Sequence, residues 1–137
     1  MQRQTKQRNL ILNIMKLEDR PLNCQEIFDA SRSVLPKIGL ATIYRAVKDF
    51  LDSGLVAEVN LPGDSQRYTT KIEGHVHYFL CRLCDRAFNI DGCPGNLNFQ
   101  PPKNFRTEVH EVIFKGVCGG CDEPPREVKS YIMGHLE

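Results

Sequence analysis

Along residues 4–17 apolar side chains return at Leu10, Ile11, Ile14, Met15 and Leu17, the spacing that lines one face of a helix, and Arg20-Pro21 ends the pattern. Asn23 is placed to cap a second helix, with Glu26 three positions on to complete a capping box and Ile27, Phe28 and Val34 on the buried face. Pro36 and Gly39 break that segment. A third helix is predicted over residues 40–53, with Leu40, Ile43, Val47, Phe50 and Leu51 on one face and Gly54 as its stop. Residues 55–59 and 66–70 then read as two short strands around Leu61-Pro62-Gly63-Asp64-Ser65, a hairpin directly after the third helix.

Three helices followed by a hairpin is the order of a winged helix, although any small α+β domain can show these elements. Beyond residue 70, strand-like runs at 76–80, 86–90 and 109–114, with a turn-rich stretch at 92–104, predict a small antiparallel sheet. Val128, Tyr131, Ile132 and Leu136 follow a double proline at helical spacing and predict a closing helix over 124–136. The expected fold class is therefore α+β: a winged helix-turn-helix domain over residues 1–70, then a small α/β dimerisation and metal-sensing domain over 71–137. Two cores of this size are each marginal without a staple or a partner.

Hydrophobic residues at 41% and charged residues at 26% place the chain among soluble globular proteins. No apolar run approaches a membrane helix, and the opening MQRQTKQRN lacks the apolar segment of a secretory signal, so a cytoplasmic location is expected. The net charge of +1 decides nothing by itself. Its distribution leaves room for basic patches: Arg3, Lys6 and Arg8 open the chain and Lys37, Arg45 and Lys48 follow.

Six cysteines in a reducing compartment read as metal ligands before they read as disulfides. Cys81-x-x-Cys84 ends one strand and Cys118-Gly-Gly-Cys121 ends another, so pairing the strand ends gathers four thiolates, the ligand set of a closed structural zinc site. A redox pair and an iron–sulfur cluster are the alternatives. Cys24 reads as a small buried residue, and Cys93, in a turn, is either inert or within reach of a metal.

Taken together, Gly39-Leu40-Ala41-Thr42-Ile43-Tyr44-Arg45, the pair Arg67-Tyr68, His75-x-His77 before the first CxxC, and Gly116-Val117-Cys118-x-x-Cys121 resemble the ferric uptake regulator family over residues 3–121. The resemblance implies an N-terminal winged helix, a C-terminal dimerisation domain, and a homodimer that binds palindromic double-stranded operators when a sensory metal is held between its domains. It also implies repression of genes for metal uptake or oxidative defence, with no enzymatic activity, catalytic residue or small-molecule substrate.

On a helical wheel the third helix leaves Ala41, Thr42, Arg45, Asp49 and Asp52 opposite its buried face, with Tyr44 at the boundary. Thr42, Tyr44 and Arg45 are the expected base and phosphate contacts, an arginine being able to read guanine bidentately. Tyr44 packing against the hairpin is the plain alternative. Arg3, Lys6 and Arg8 are candidates for phosphates or merely solvated, and Arg67 either reaches the DNA backbone or pairs with an acid.

His75 and His77, two apart on a strand, can present both imidazoles to one ion. The sequence departs from the family pattern nearby: Arg20 and Pro21 stand where many relatives carry a histidine, Thr69 where an acidic ligand is common, and Asn89 where another carboxylate is found. His77 also lies four residues before Cys81 rather than three. Substitutes are Glu73, Glu58, Asp64, Cys93, Glu108 and His110, with His110 favoured because the resemblance places a histidine at this distance before the Gly-x-Cys. Zinc is the expected effector, with iron, manganese, nickel or peroxide sensing as alternatives inside the family. A metalloenzyme and a zinc-ribbon interaction module are the readings from other classes.

Overall fold

The computed structural model describes residues 2–72, 74, 76–92 and 101–121. Helix α1 (Gln2–Glu18) buries Ile11 and Met15, with Leu12 and Ile14 packed beside them. Leu17, expected on the same face, is 85% exposed. Six residues beyond Ile11 it lies about 240° around the helix, off the buried stripe.

Helix α2 (Cys24–Arg32) carries the expected capping box: the Asn23 side chain accepts from the Glu26 N–H at 2.8 Å and Glu26 accepts from the Asn23 N–H at 3.0 Å. Cys24 and Ile27 face the core, whereas Val34 lies beyond the helix end in solvent and Ile38 fills the core instead. Helix α3 (Leu40–Asp52) buries Ile43, Ala46, Val47 and Phe50, with Leu51 packed at the edge of the core. Each fully buried isoleucine contributes about 1.5–3 kcal/mol, so the shared contacts of these three helices form the main apolar anchor among the described residues.

Strands β1 (Ala57–Val59) and β2 (Arg67–Thr69) form the antiparallel hairpin, with Glu58 opposite Tyr68. Leu22 and Tyr68 exchange two backbone hydrogen bonds at 2.9 Å, so the link between α1 and α2 fastens the hairpin to the helices. Strands β3 (His77–Cys81), β4 (Ala87–Ile90) and β5 (Ile113–Gly116) make a second sheet in the order β4-β3-β5.

That sheet is mixed rather than antiparallel. β4 pairs antiparallel with β3, but β5 runs parallel to it, Cys81 opposite Gly116. The reason lies in the cysteines. The first CxxC pair begins on the last residue of β3 and the second follows the end of β5, and two such ends coincide only when the strands point the same way. Among the described residues the apolar support here is slight: Val59, Leu61 and Ala87 are buried, with Tyr78, Leu80 and Ile113 partly so. The residues of the expected closing helix, 124–136, lie outside the described residues. Among the described residues no helix is long and apolar enough to cross a membrane.

Candidate metal centre and nucleic-acid interface

A tight turn carries the chain from β3 into β4. The Asp85 N–H donates to the Cys81 carbonyl and the Cys81 N–H to the Arg86 carbonyl, each at 3.0 Å, while Asp85 takes a left-handed backbone with φ 57°. Short polar side chains tolerate that region better than most. The turn holds Cys81 and Cys84 on one side, and the segment after β5 brings Cys118 and Cys121 against them. Ligand atoms of the four cysteines lie within 4.8 Å of one another. Cys81 Sγ is 3.8 Å from Cys121 Sγ, and Cys84 Sγ is 3.8 Å from Cys118 Sγ.

These separations suit a metal. A tetrahedron with metal–sulfur bonds of about 2.3 Å has edges of about 3.8 Å. The protonation chemistry agrees. Burial works to raise the Cys81 thiol, yet backbone N–H groups of Cys84, Cys118 and Leu83 outweigh it and bring it down to about 6. Cys84 is raised by burial, and Cys121 is pushed up to about 12, chiefly by the neighbouring Cys118 thiol. Four thiolates without a cation repel one another, and a divalent ion supplies the compensating charge. Cys24 stands apart, buried in the helical core with its thiol raised by that burial.

Between the β1–β2 hairpin and the second sheet lies a cavity of about 410 Å³, whose polar wall includes Glu58, Asn60, Thr69, His77, His110 and Glu111. His77 is buried, and its Nδ1 accepts the Val112 N–H at 3.2 Å. The His110 ring stacks on it from an exposed position. His75, Glu73 and Cys93 lie outside the described residues. Glu108 is exposed and pairs with Arg106, while Asp64 pairs with Arg67. Among the described residues the four cysteines are the group of metal-binding side chains whose ligand atoms converge.

On α3, Tyr44 is 55% exposed and Arg45 is exposed, its Nη2 donating to Thr42 Oγ1 at 3.3 Å. A groove of about 380 Å³ between α1 and α3 gathers Arg3, Arg8, Thr42 and Arg45. Arg8 already has a partner there: it pairs with Asp49 at 3.1 Å and lies over the Phe50 ring. Arg3 also borders a neighbouring hollow with Lys6 and Lys37.

Arg67 does not face solvent. Its side chain is 1% exposed and the guanidinium binds acids, so the acid-pairing alternative describes it rather than contact with a DNA backbone. Nη1 donates to Glu26 at 2.6 Å and to the Pro21 carbonyl at 3.3 Å, and Nε and Nη2 hold Asp64. Nη2 also donates to the carbonyl of Asp85. Arg20, likewise buried, joins the network through Glu26 at 3.0 Å and lies over Phe88 of β4. Hydropathy reading assigns arginines to the surface and so misses this cluster. Asp64 three residues before Arg67 was the available sign.

The ferric uptake regulator family model matches residues 2–114. The ferric uptake regulation protein of Staphylococcus epidermidis is 29% identical over 119 residues, spanning 87% of this chain and 86% of its own. The peroxide-responsive repressor PerR of Staphylococcus aureus is 29% identical over 124 residues, spanning 87% of this chain and 82% of its own. Among solved structures, a zinc-bound manganese uptake regulator superposes with a TM-score of 0.66 at 24% identity, over 82% of this chain and 87% of that one, a likeness of fold.

Proposed function

The chain belongs to the ferric uptake regulator family, and from that premise we propose that it is a zinc-responsive, DNA-binding repressor of metal-homeostasis genes, acting as a homodimer on palindromic operators. The observation that carries this reading is the convergence of four cysteine sulfurs in the chain that also exposes Tyr44 and Arg45 on α3, with Thr42 half-buried beside Arg45.

Cys81, Cys84, Cys118 and Cys121 hold a structural zinc. A bound zinc ion supplies a fixed double positive charge that locks the two strand ends together and leaves no open position for hydrolytic chemistry. Among the described residues the second sheet has slight apolar support, which a staple of this kind would supplement. Residues 1–70 then read DNA, and residues 71–137 dimerise and sense metal. Phe105, Val109 and Phe114, all exposed in the second part, support a protein–protein surface there.

His110 and His77, with His75, Glu73 and Cys93, are the candidate ligands of the sensory ion, and the first two line the cavity between hairpin and sheet. Relatives named for iron, manganese and peroxide leave the effector to this chain's own residues. Thr69 and Asn89 offer neutral groups where carboxylates are usual, and imidazole with thiolate favours zinc over manganese. Thr42, Tyr44 and Arg45 enter the major groove, with Arg3, Lys6 and Arg8 near phosphates.

Selection from a random duplex library with the zinc-loaded dimer tests the reading. A palindromic consensus is expected, and no enrichment over unselected DNA contradicts sequence-specific repression.

A further inference from the structure

An arginine has five N–H donors, and all five of Arg67 are engaged: two on Asp64, one on Glu26, one on the Pro21 carbonyl and one on the Asp85 carbonyl. Four of the five bonds go to the hairpin and the start of α2. The fifth crosses to the turn that presents Cys84. Asp85 is the residue directly after that cysteine, with a left-handed backbone; its N–H closes the turn on the Cys81 carbonyl while its own carbonyl accepts from Arg67. Neighbouring contacts run along the same seam: Arg20 over Phe88, and the Asn89 side chain donating to the Asp19 carbonyl at 3.0 Å.

We propose that Arg67 is a coupling residue that ties the cysteine turn to the DNA-reading unit, so that occupancy of the four cysteines sets the order of the hairpin. The proposal rests on the reading of those cysteines as a zinc site. A buried guanidinium with every donor engaged has one geometry, because leaving any donor unpaired carries a desolvation cost. Movement of the Asp85 carbonyl when the turn loosens therefore breaks a bond that no water replaces without rearranging Asp64 and Glu26. Linkage makes the effect reciprocal: if zinc orders the hairpin, the hairpin tightens zinc by the same factor.

Arg67→Lys keeps the charge but has three donors on a single nitrogen, and it cannot span Asp64, Glu26 and the Asp85 carbonyl together. Zinc retention by the full-length dimer is measured against a chromogenic chelator, and hydrogen exchange is followed over residues 20–27 and 57–69 with zinc loaded and stripped, α1 and α3 serving as internal references. In the wild type, stripping zinc should speed exchange at the paired Leu22 and Tyr68 amides while the helices stay protected. The variant should hold zinc about tenfold more weakly, with hairpin exchange no longer responsive to zinc. Asp64→Asn, which keeps the arginine and weakens two of its five bonds, should show the same change to a smaller degree if the lysine variant does not fold. Unchanged zinc retention in the folded variants, hairpin exchange indifferent to zinc, or loss of protection spread through the helices would each overturn the coupling. A wild type that takes up no zinc removes the cysteine assignment and this proposal together, whereas wild-type uptake with unchanged variants removes the coupling alone.

Discussion

The imidazole of His77 stacks on that of His110, with ring centroids 5.3 Å apart and planes at 29°. The two rings join β3 to the segment leading into β5 at the wall of the hairpin cavity. Their environments differ: His77 is buried and accepts the Val112 N–H, whereas His110 is exposed. His77 is shielded from solvent, and His110 is on the solvent side of the pair.

His110→Ala should therefore keep the unfolding free energy within about 0.5 kcal/mol of the wild type and lose the second equivalent of metal. His77→Ala leaves the Val112 N–H without its acceptor and should cost about 1–3 kcal/mol. Denaturant unfolding and metal titration on the same samples check both. An unchanged second equivalent in His110→Ala removes that residue from the ligand set.

Arg45→Ala should weaken operator binding by about 1–3 kcal/mol and leave dimerisation and metal content intact, because its side chain is exposed and, among the described residues, hydrogen-bonds to Thr42 of its own helix. Footprinting with the variant decides. Protection equal to that of wild type excludes the assigned role.

Asn23→Ala should destabilise the chain by about 1 kcal/mol. The side chain caps α2 through the Glu26 N–H and also donates to Ser65 in the hairpin loop at 3.2 Å. Chemical denaturation measures the loss, and a variant as stable as wild type shows that the cap carries no weight.

Zinc uptake near neutral pH should release at least two protons, from Cys84 and Cys121, whose thiols are both raised. Apparent affinity should accordingly weaken as the pH falls, since protons compete for the sulfurs. Calorimetry in buffers of different ionisation enthalpy counts the protons, and an uptake with none released contradicts metal binding by these thiols.

What could be read from the sequence follows the range of the interactions involved. The capping box of Asn23 and Glu26 is local chemistry, and its signature lies within four residues. The buried face of α3 follows from periodicity alone, although Ala46 sits on it and was too small to stand out. The direction of β5 is a long-range property, set by how the chain returns across the sheet, and only the coincidence of the two cysteine pairs held the clue. The two readings of Arg67, contact with a DNA backbone or pairing with an acid, stayed open in the sequence for a related reason: its partners Glu26, Asp64 and Asp85 come from three separate segments, and a charge is read as buried only once such partners are seen to converge.

The most direct test of the account is operator affinity of the purified dimer, measured by fluorescence anisotropy at fixed salt across buffered free zinc, ferrous iron, manganese and nickel, with bound metal counted in parallel. The account predicts tight binding that appears with zinc, after the structural equivalent is filled, as a second equivalent binds. Binding that is equal with every ion, or already complete with the structural equivalent alone, would contradict it.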